Sequence, residues 1–89
     1  MAPSTAKSKR HYRPHQKSAI NLRIGAVLEL YRLERDLSPS DVARRAGFST
    51  QQLLNIERGI RDLRLTTLER TCRALGISVT EVLTIAEKE

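Results

Sequence analysis

One cysteine, Cys72, is all that the 89-residue chain contains. A disulfide within the chain is therefore excluded, and so is a zinc site built on cysteines. Both histidines, His11 and His15, sit near the start, four residues apart, with no companion ligands at metal-binding spacing. No metal and no cofactor is expected. A Ser/His/Asp set, a metal cluster and a glycine-rich nucleotide loop are all missing, so an enzyme is not expected. No apolar run approaches the roughly 18 residues of a membrane span. The basic start of the chain is not followed by the apolar stretch of a signal peptide. Nothing points to an oxidising compartment, and the expected location is cytoplasmic, away from membranes. Alternation of apolar and polar residues over a useful length is absent too, which argues against strands.

What is present is positive charge. The formal net charge is +6, with a pI near 10.3. It is unevenly placed: Lys7, Lys9, Arg10, Arg13 and Lys17 fall in the first 17 residues without an acid among them. Residues 18–89 carry 11 basic and 10 acidic side chains and are close to balance. Residues 1–17 show no periodicity and read as a flexible basic tail, able to touch phosphates or lie in a minor groove, or simply to solubilise. Residues 18–89 read as one domain with a single modest core.

Apolar periodicity begins at Ile20. Ile20, Ile24, Val27, Leu28 and Tyr31 recur on one helical stripe, with Asn21 as a possible cap and an end near Arg35–Asp36. Leu30 and Leu33 widen the apolar surface beyond a single core contact. Ser38-Pro39-Ser40-Asp41 is a second start signal: serine at the cap, proline at the first helical position and an acid three residues after the cap. Val42, Ala43 and Ala46 face inward, and Gly47 ends the segment. Only Phe48 separates Gly47 from the next cap, Ser49, with Gln52 completing another capping box. The helix that follows, Thr50 to Arg58, turns Leu53 and Ile56 to the core and stops at Gly59. After a charged loop, Leu65, Leu68, Cys72 and Leu75 mark a fourth helix closed by Gly76. Ser78 and Glu81 form a third capping box, and Val79, Val82, Leu83 and Ala86 a fifth helix. On this stripe Cys72 reads as a buried structural thiol. The fold class is all-α, five helices with short links.

Two short helices joined by Gly47-Phe48-Ser49 have the layout of a helix-turn-helix. At about 100° per residue, Gln51, Asn55 and Arg58 share the side of the third helix opposite Leu53, Ile56 and Glu57, with Thr50 and Leu54 at its flank. Gln and Asn amides match the major-groove edge of adenine, Arg matches guanine or a phosphate, and Thr a base edge or a thymine methyl. Free amides at a helix start suit a phosphate.

The segments IGAVLELYRLERDLSPSDVARRAGFSTQQLLNIERG and TTLERTCRALGISVTEVL resemble the helix-turn-helix domains of Cro and phage-repressor type, the XRE family, over roughly two thirds of the chain. The resemblance implies a five-helix domain that binds double-stranded DNA as a small dimeric transcriptional regulator. It places Thr50, Gln51 and Asn55 at base-reading positions, and Arg32, Ser49, Arg58 and Arg61 near the DNA backbone. It pairs Arg32 with Glu57, a carboxylate whose place beside the apolar side of its helix itself demands a partner. Leu63-Arg64 stands where the family often has Pro-Ser, so the fourth helix should be weakly capped. Val79, Val82 and Ile85 are the first candidates for a homodimer contact, and Leu30 and Leu33 the second. An alternative reading is an antitoxin or adaptor, a module that binds a protein partner through Leu30, Leu33 and Leu54 and uses DNA binding as an accessory.

Overall fold

The structure, a computed structural model, describes residues 19–60 and 62–88. The tail with Lys7, Lys9, Arg10, Arg13 and Lys17 lies outside the described residues, as does Arg61.

Five α-helices follow one another: α1 Ala19–Glu34, α2 Pro39–Ala46, α3 Thr50–Arg58, α4 Leu65–Leu75 and α5 Val79–Lys88. Their limits are set mostly by local chemistry. Ser38 accepts from the Asp41 N–H at 3.1 Å and the Asp41 carboxylate accepts from the Ser38 N–H at 3.0 Å, a reciprocal box. Those bonds, the Ser38 backbone bond foremost, hold the Asp41 carboxyl below its ordinary pKa. Ser49 and Ser78 accept from the N–H groups of Gln52 and Glu81 at 3.1 and 3.0 Å. Neither of these two expected boxes is closed: Gln52 does not bond back to the Ser49 N–H, and the Glu81 carboxylate instead accepts the Tyr31 hydroxyl of α1. That bond raises the Tyr31 pKa. Arg64 caps α4 with its backbone only and forms no side-chain cap bond.

Asn21 does not cap α1; it lies within the helix and reaches the loop after α3, donating to Asp62 at 3.3 Å. The far end of α1 closes without glycine. Asp36 takes the left-handed conformation, φ 54°. The Asp36 and Leu37 N–H groups bond back to the carbonyls of Leu33 and Arg32, the two bonds of a Schellman closure.

The core gathers Ile24, Val27, Leu28, Val42, Ala43, Leu53, Leu68, Cys72, Leu75, Val82 and Ala86. α1 packs on both α3 and α5, and α2 on both α3 and α4. Gly25 is the contact that sets the α1–α3 distance. A Cβ there would lie 2.3 Å from the Glu57 carbonyl oxygen and 2.6 Å from that of Ile56. Backbone therefore rests on backbone at this crossing, and only glycine fits. One inward assignment changes. Leu65, at the first position of α4, is 71% exposed because no element covers that end of the stripe. Val82 lies inward as expected, fully enclosed, and so loses its place in the dimer contact.

Candidate nucleic-acid interface

α3 is fixed from below before anything is asked of its outer side. Leu53 and Glu57 are buried. Arg32 of α1 donates from Nε to Glu57 Oε2 at 2.7 Å and from Nη2 to Oε1 at 3.2 Å. Its Nη1 donates to the Leu37 carbonyl at 3.0 Å. The Glu57 carboxylate is the main cause holding the guanidinium pKa above its ordinary value. With each nitrogen making one bond and the side chain only 8% exposed, the guanidinium ties α1 to α3, and one N–H of each terminal nitrogen remains for the phosphate contact expected of it. Gly59 completes the seat: its left-handed φ of 65° ends α3, and its Cα side lies against the backbone of Leu22.

The outer side of α3 carries the residues singled out from the sequence. Thr50, Gln51 and Arg58 are exposed and Asn55 is half-buried. Gln51 Nε2 donates to Asn55 Oδ1 at 3.0 Å, so the two amides form one unit. The bond leaves Gln51 its carbonyl oxygen and one N–H, and Asn55 both N–H groups and the second lone pair of Oδ1. Each amide therefore keeps a donor and an acceptor for a partner. Ser49 stands at the start of the helix with its hydroxyl in the cap. Leu54 is half-buried on the flank. A shallow groove runs beside this side, bordered by Ser49, Gln52, Asn55, Asp62, Arg64 and Thr67. Arg64 is exposed on its rim and had been given no role from the sequence.

The turn between α2 and α3 has a support that the sequence did not disclose. Arg70 of α4 donates from Nε to the Ala46 carbonyl at 3.0 Å and from Nη2 to the Gly47 carbonyl at 3.4 Å. Its guanidinium lies 4.8 Å from the centroid of the Phe48 ring. A cation at the end of α2 answers its unpaired carbonyls and dipole, and the stacked ring fixes the turn's aromatic residue. Gly47 makes room for this clasp: a Cβ there would meet Arg70 Nη2 at 2.5 Å.

Two short helices, a three-residue turn, a seated second helix and a polar outer side make a helix-turn-helix unit. The sequence profile described as a helix-turn-helix domain matches residues 23–84. The chain belongs to the helix-turn-helix family, of Cro and phage-repressor type. It is 38% identical over 61 residues to y4dJ of Sinorhizobium fredii (strain NBRC 101917 / NGR234), described as an uncharacterized HTH-type transcriptional regulator; the match spans 68% of this chain and 79% of that one. Among solved structures, the clp gene regulator ClgR of C. glutamicum superposes with a TM-score of 0.76 at 27% identity, over 82% of this chain and 94% of that chain. The restriction-modification controller protein C.Esp1396I, solved as a tetramer with its natural 35 base-pair operator, superposes with a TM-score of 0.74 at 24% identity, over 81% and 95%. This last likeness concerns the fold. The helix-turn-helix domain is thus a DNA-binding unit of transcription regulation. Among the described residues no helix is long and apolar enough to cross a membrane.

Proposed function

We propose that the chain is a sequence-specific, dimeric regulator that lays α3 in the major groove of double-stranded DNA. Thr50, Gln51 and Asn55 read base edges, and Ser49 and Arg58 hold the backbone. The exposed Arg64 joins them. Arg61 and the basic tail residues keep the phosphate role assigned from the sequence. The observation that carries the reading is the coupled amide pair of Gln51 and Asn55, pointing outward from a helix whose inner side is locked by Leu53, Glu57 and Gly59. A locked helix presents those amides in one register, which base discrimination requires. ClgR, named as a regulator of the clp gene, and C.Esp1396I, seen on its operator, support the same direction.

One domain of this size meets only a few base pairs, so two copies reading half-sites about 34–36 Å apart would supply the specificity. With Val82 enclosed, the contact face proposed on α5 centres on Val79 and Leu83, which border a shallow apolar groove with Leu65. The protein-partner reading is favoured by one observation, the exposure of Leu30 and Leu33.

The test is selection of a preferred duplex from a randomised pool, then titration of that duplex and a scrambled one at several salt concentrations. Gln51→Ala and Asn55→Ala should each lower the preferred-to-scrambled ratio by about 1–3 kcal/mol with the salt slope nearly unchanged. Arg58→Ala or Arg64→Ala should weaken both duplexes alike and reduce the slope by about 1. An intact ratio in both amide variants removes α3 as the reading element and moves the protein-partner reading ahead.

A further inference from the structure

The apolar surface of α1 is not confined to the core. Leu22, Leu30 and Leu33 are 42, 60 and 54% exposed, and Ala26 is exposed between them. At about 100° per residue the four fall within an arc of about 80°, roughly opposite the side bearing Ile24, Leu28 and Arg32. Single exposed leucines are ordinary, but this row runs for about 16 Å along one helix and forms a patch. It is separate from the outer side of α3 and from the groove at Leu65, Val79 and Leu83.

We propose that this row is a second self-association surface, on which the α1 helices of two copies pack antiparallel. The order of residues argues for a copy of the same chain. About a two-fold axis near residue 28, Ala26 falls opposite Leu30 of the other copy, small against large. Leu22 falls opposite Leu33. Both Arg23 and Glu34 border the row on the same edge, so Arg23 of each copy meets Glu34 of the other. Arg23 uses its Nε on the Ala86 carbonyl at 2.7 Å, which leaves its terminal nitrogens for that pair. On the other edge Glu29 lies near the axis, where it approaches Glu29 of the other copy, each with its own Arg32 at 4.0 Å; this edge opposes the pairing and the Arg23–Glu34 edge favours it. The tail is a poor cover, because Met1 and Tyr12 are the only large apolar side chains in residues 1–18.

One face of one helix buries well under the roughly 1,000 Å² of a stable specific interface. The pairing is therefore weak between free molecules. It becomes effective when copies are concentrated, as two are when both sit on one DNA. It does not itself require DNA.

Disulfide trapping of the full chain tests the register. Ala26→Cys and Leu30→Cys proteins are mixed at about 1 mM in a glutathione redox buffer, without DNA. The native Cys72 is 1% exposed and does not compete. The expected product is the mixed cross-link, several-fold over either homodimer, and Glu34→Arg in both proteins should reduce it several-fold. Arg45→Cys, exposed on α2, sets the background. Homodimers of Ala26→Cys in excess would mean a parallel pair and overturn the proposal. Cross-linking no greater than the Arg45→Cys background also overturns it, whatever then covers the row. Sedimentation equilibrium provides a second reading: Leu65→Glu should leave a residual self-association that Leu30→Glu removes. Neither measurement involves DNA, so failure of the major-groove reading, seen as an intact ratio in the Gln51→Ala titration, is distinguishable.

Discussion

Replacing Glu57 by Gln keeps the shape of the side chain and removes its charge. The structure allows the loss to be worked out. Arg32 would remain ionised and enclosed, with the Leu37 carbonyl at 3.0 Å and Glu29 at 4.0 Å as its other partners. A Gln amide can accept one of the two bonds that Glu57 now accepts; the second and the charge attraction are lost. Breaking a buried pair costs about 3–5 kcal/mol. The retained bond and the half-exposed Glu29 carboxylate bring Glu57→Gln to the bottom of that range or just below it, about 2–3 kcal/mol. For a domain of this size that lowers Tm by about 10–20 °C. Urea and thermal unfolding by circular dichroism measure it, and 0.5 M salt should change the difference little because the pair is shielded from solvent. The double replacement Arg32→Met with Glu57→Leu should recover most of the loss, since an apolar pair avoids desolvating two charges. A loss below about 0.5 kcal/mol for Glu57→Gln would refute the argument, showing that water screens the pair as at a surface.

Burial pushes the Cys72 thiol up to about 11. Native protein at pH 8 should then react with a thiol reagent at least about 100-fold more slowly than unfolded protein, and equal rates would place Cys72 at the surface. Because the Asp41 pKa is lowered by folding, its contribution is present above the ordinary value of 3.8 and fades as pH falls through the folded value. The stability gap between wild type and Asp41→Asn should be open at pH 6 and shrink as pH falls below 3.8, and a gap constant with pH would contradict the charged cap. Asp36 holds a positive φ that disfavours side chains by about 1 kcal/mol. Asp36→Gly should raise stability by about 0.5–1 kcal/mol, and a destabilised variant would mean that the Asp36 side chain does more than occupy the turn.

The starts of α2, α3 and α5 and the stops of α2, α3 and α4 could be read from the sequence because caps and glycines act within three or four residues of one another. The end of α1 near Arg35–Asp36 was legible too, but the left-handed conformation of Asp36 was not, because aspartate enters that region rarely and gives no local sign of it. Periodicity placed Leu65 and Val82 on apolar stripes, but which end of a stripe another helix covers depends on packing between distant segments. The same limit hid the Arg70 clasp, the Tyr31–Glu81 bond and the Arg23–Ala86 bond, which join residues 24, 50 and 63 apart. At the candidate site, the outward placing of Gln51, Asn55 and Arg58 followed from helical geometry. The amide bond between Gln51 and Asn55 did not, because rotamers are chosen in three dimensions.

The backbone seat at Gly25 has an evolutionary consequence. Where a helix is held by interdigitating side chains, changes on one helix call for changes on its neighbour. Here the crossing is made by a glycine against two carbonyls, and the remaining anchors are few: Leu53, Ile56, Glu57 and Gly59. Thr50, Gln51, Asn55 and Arg58 are therefore released from the folding problem and can drift together. Under the proposed reading of α3, a lineage built on this scaffold would acquire new target sequences by point changes on one side of its nine residues.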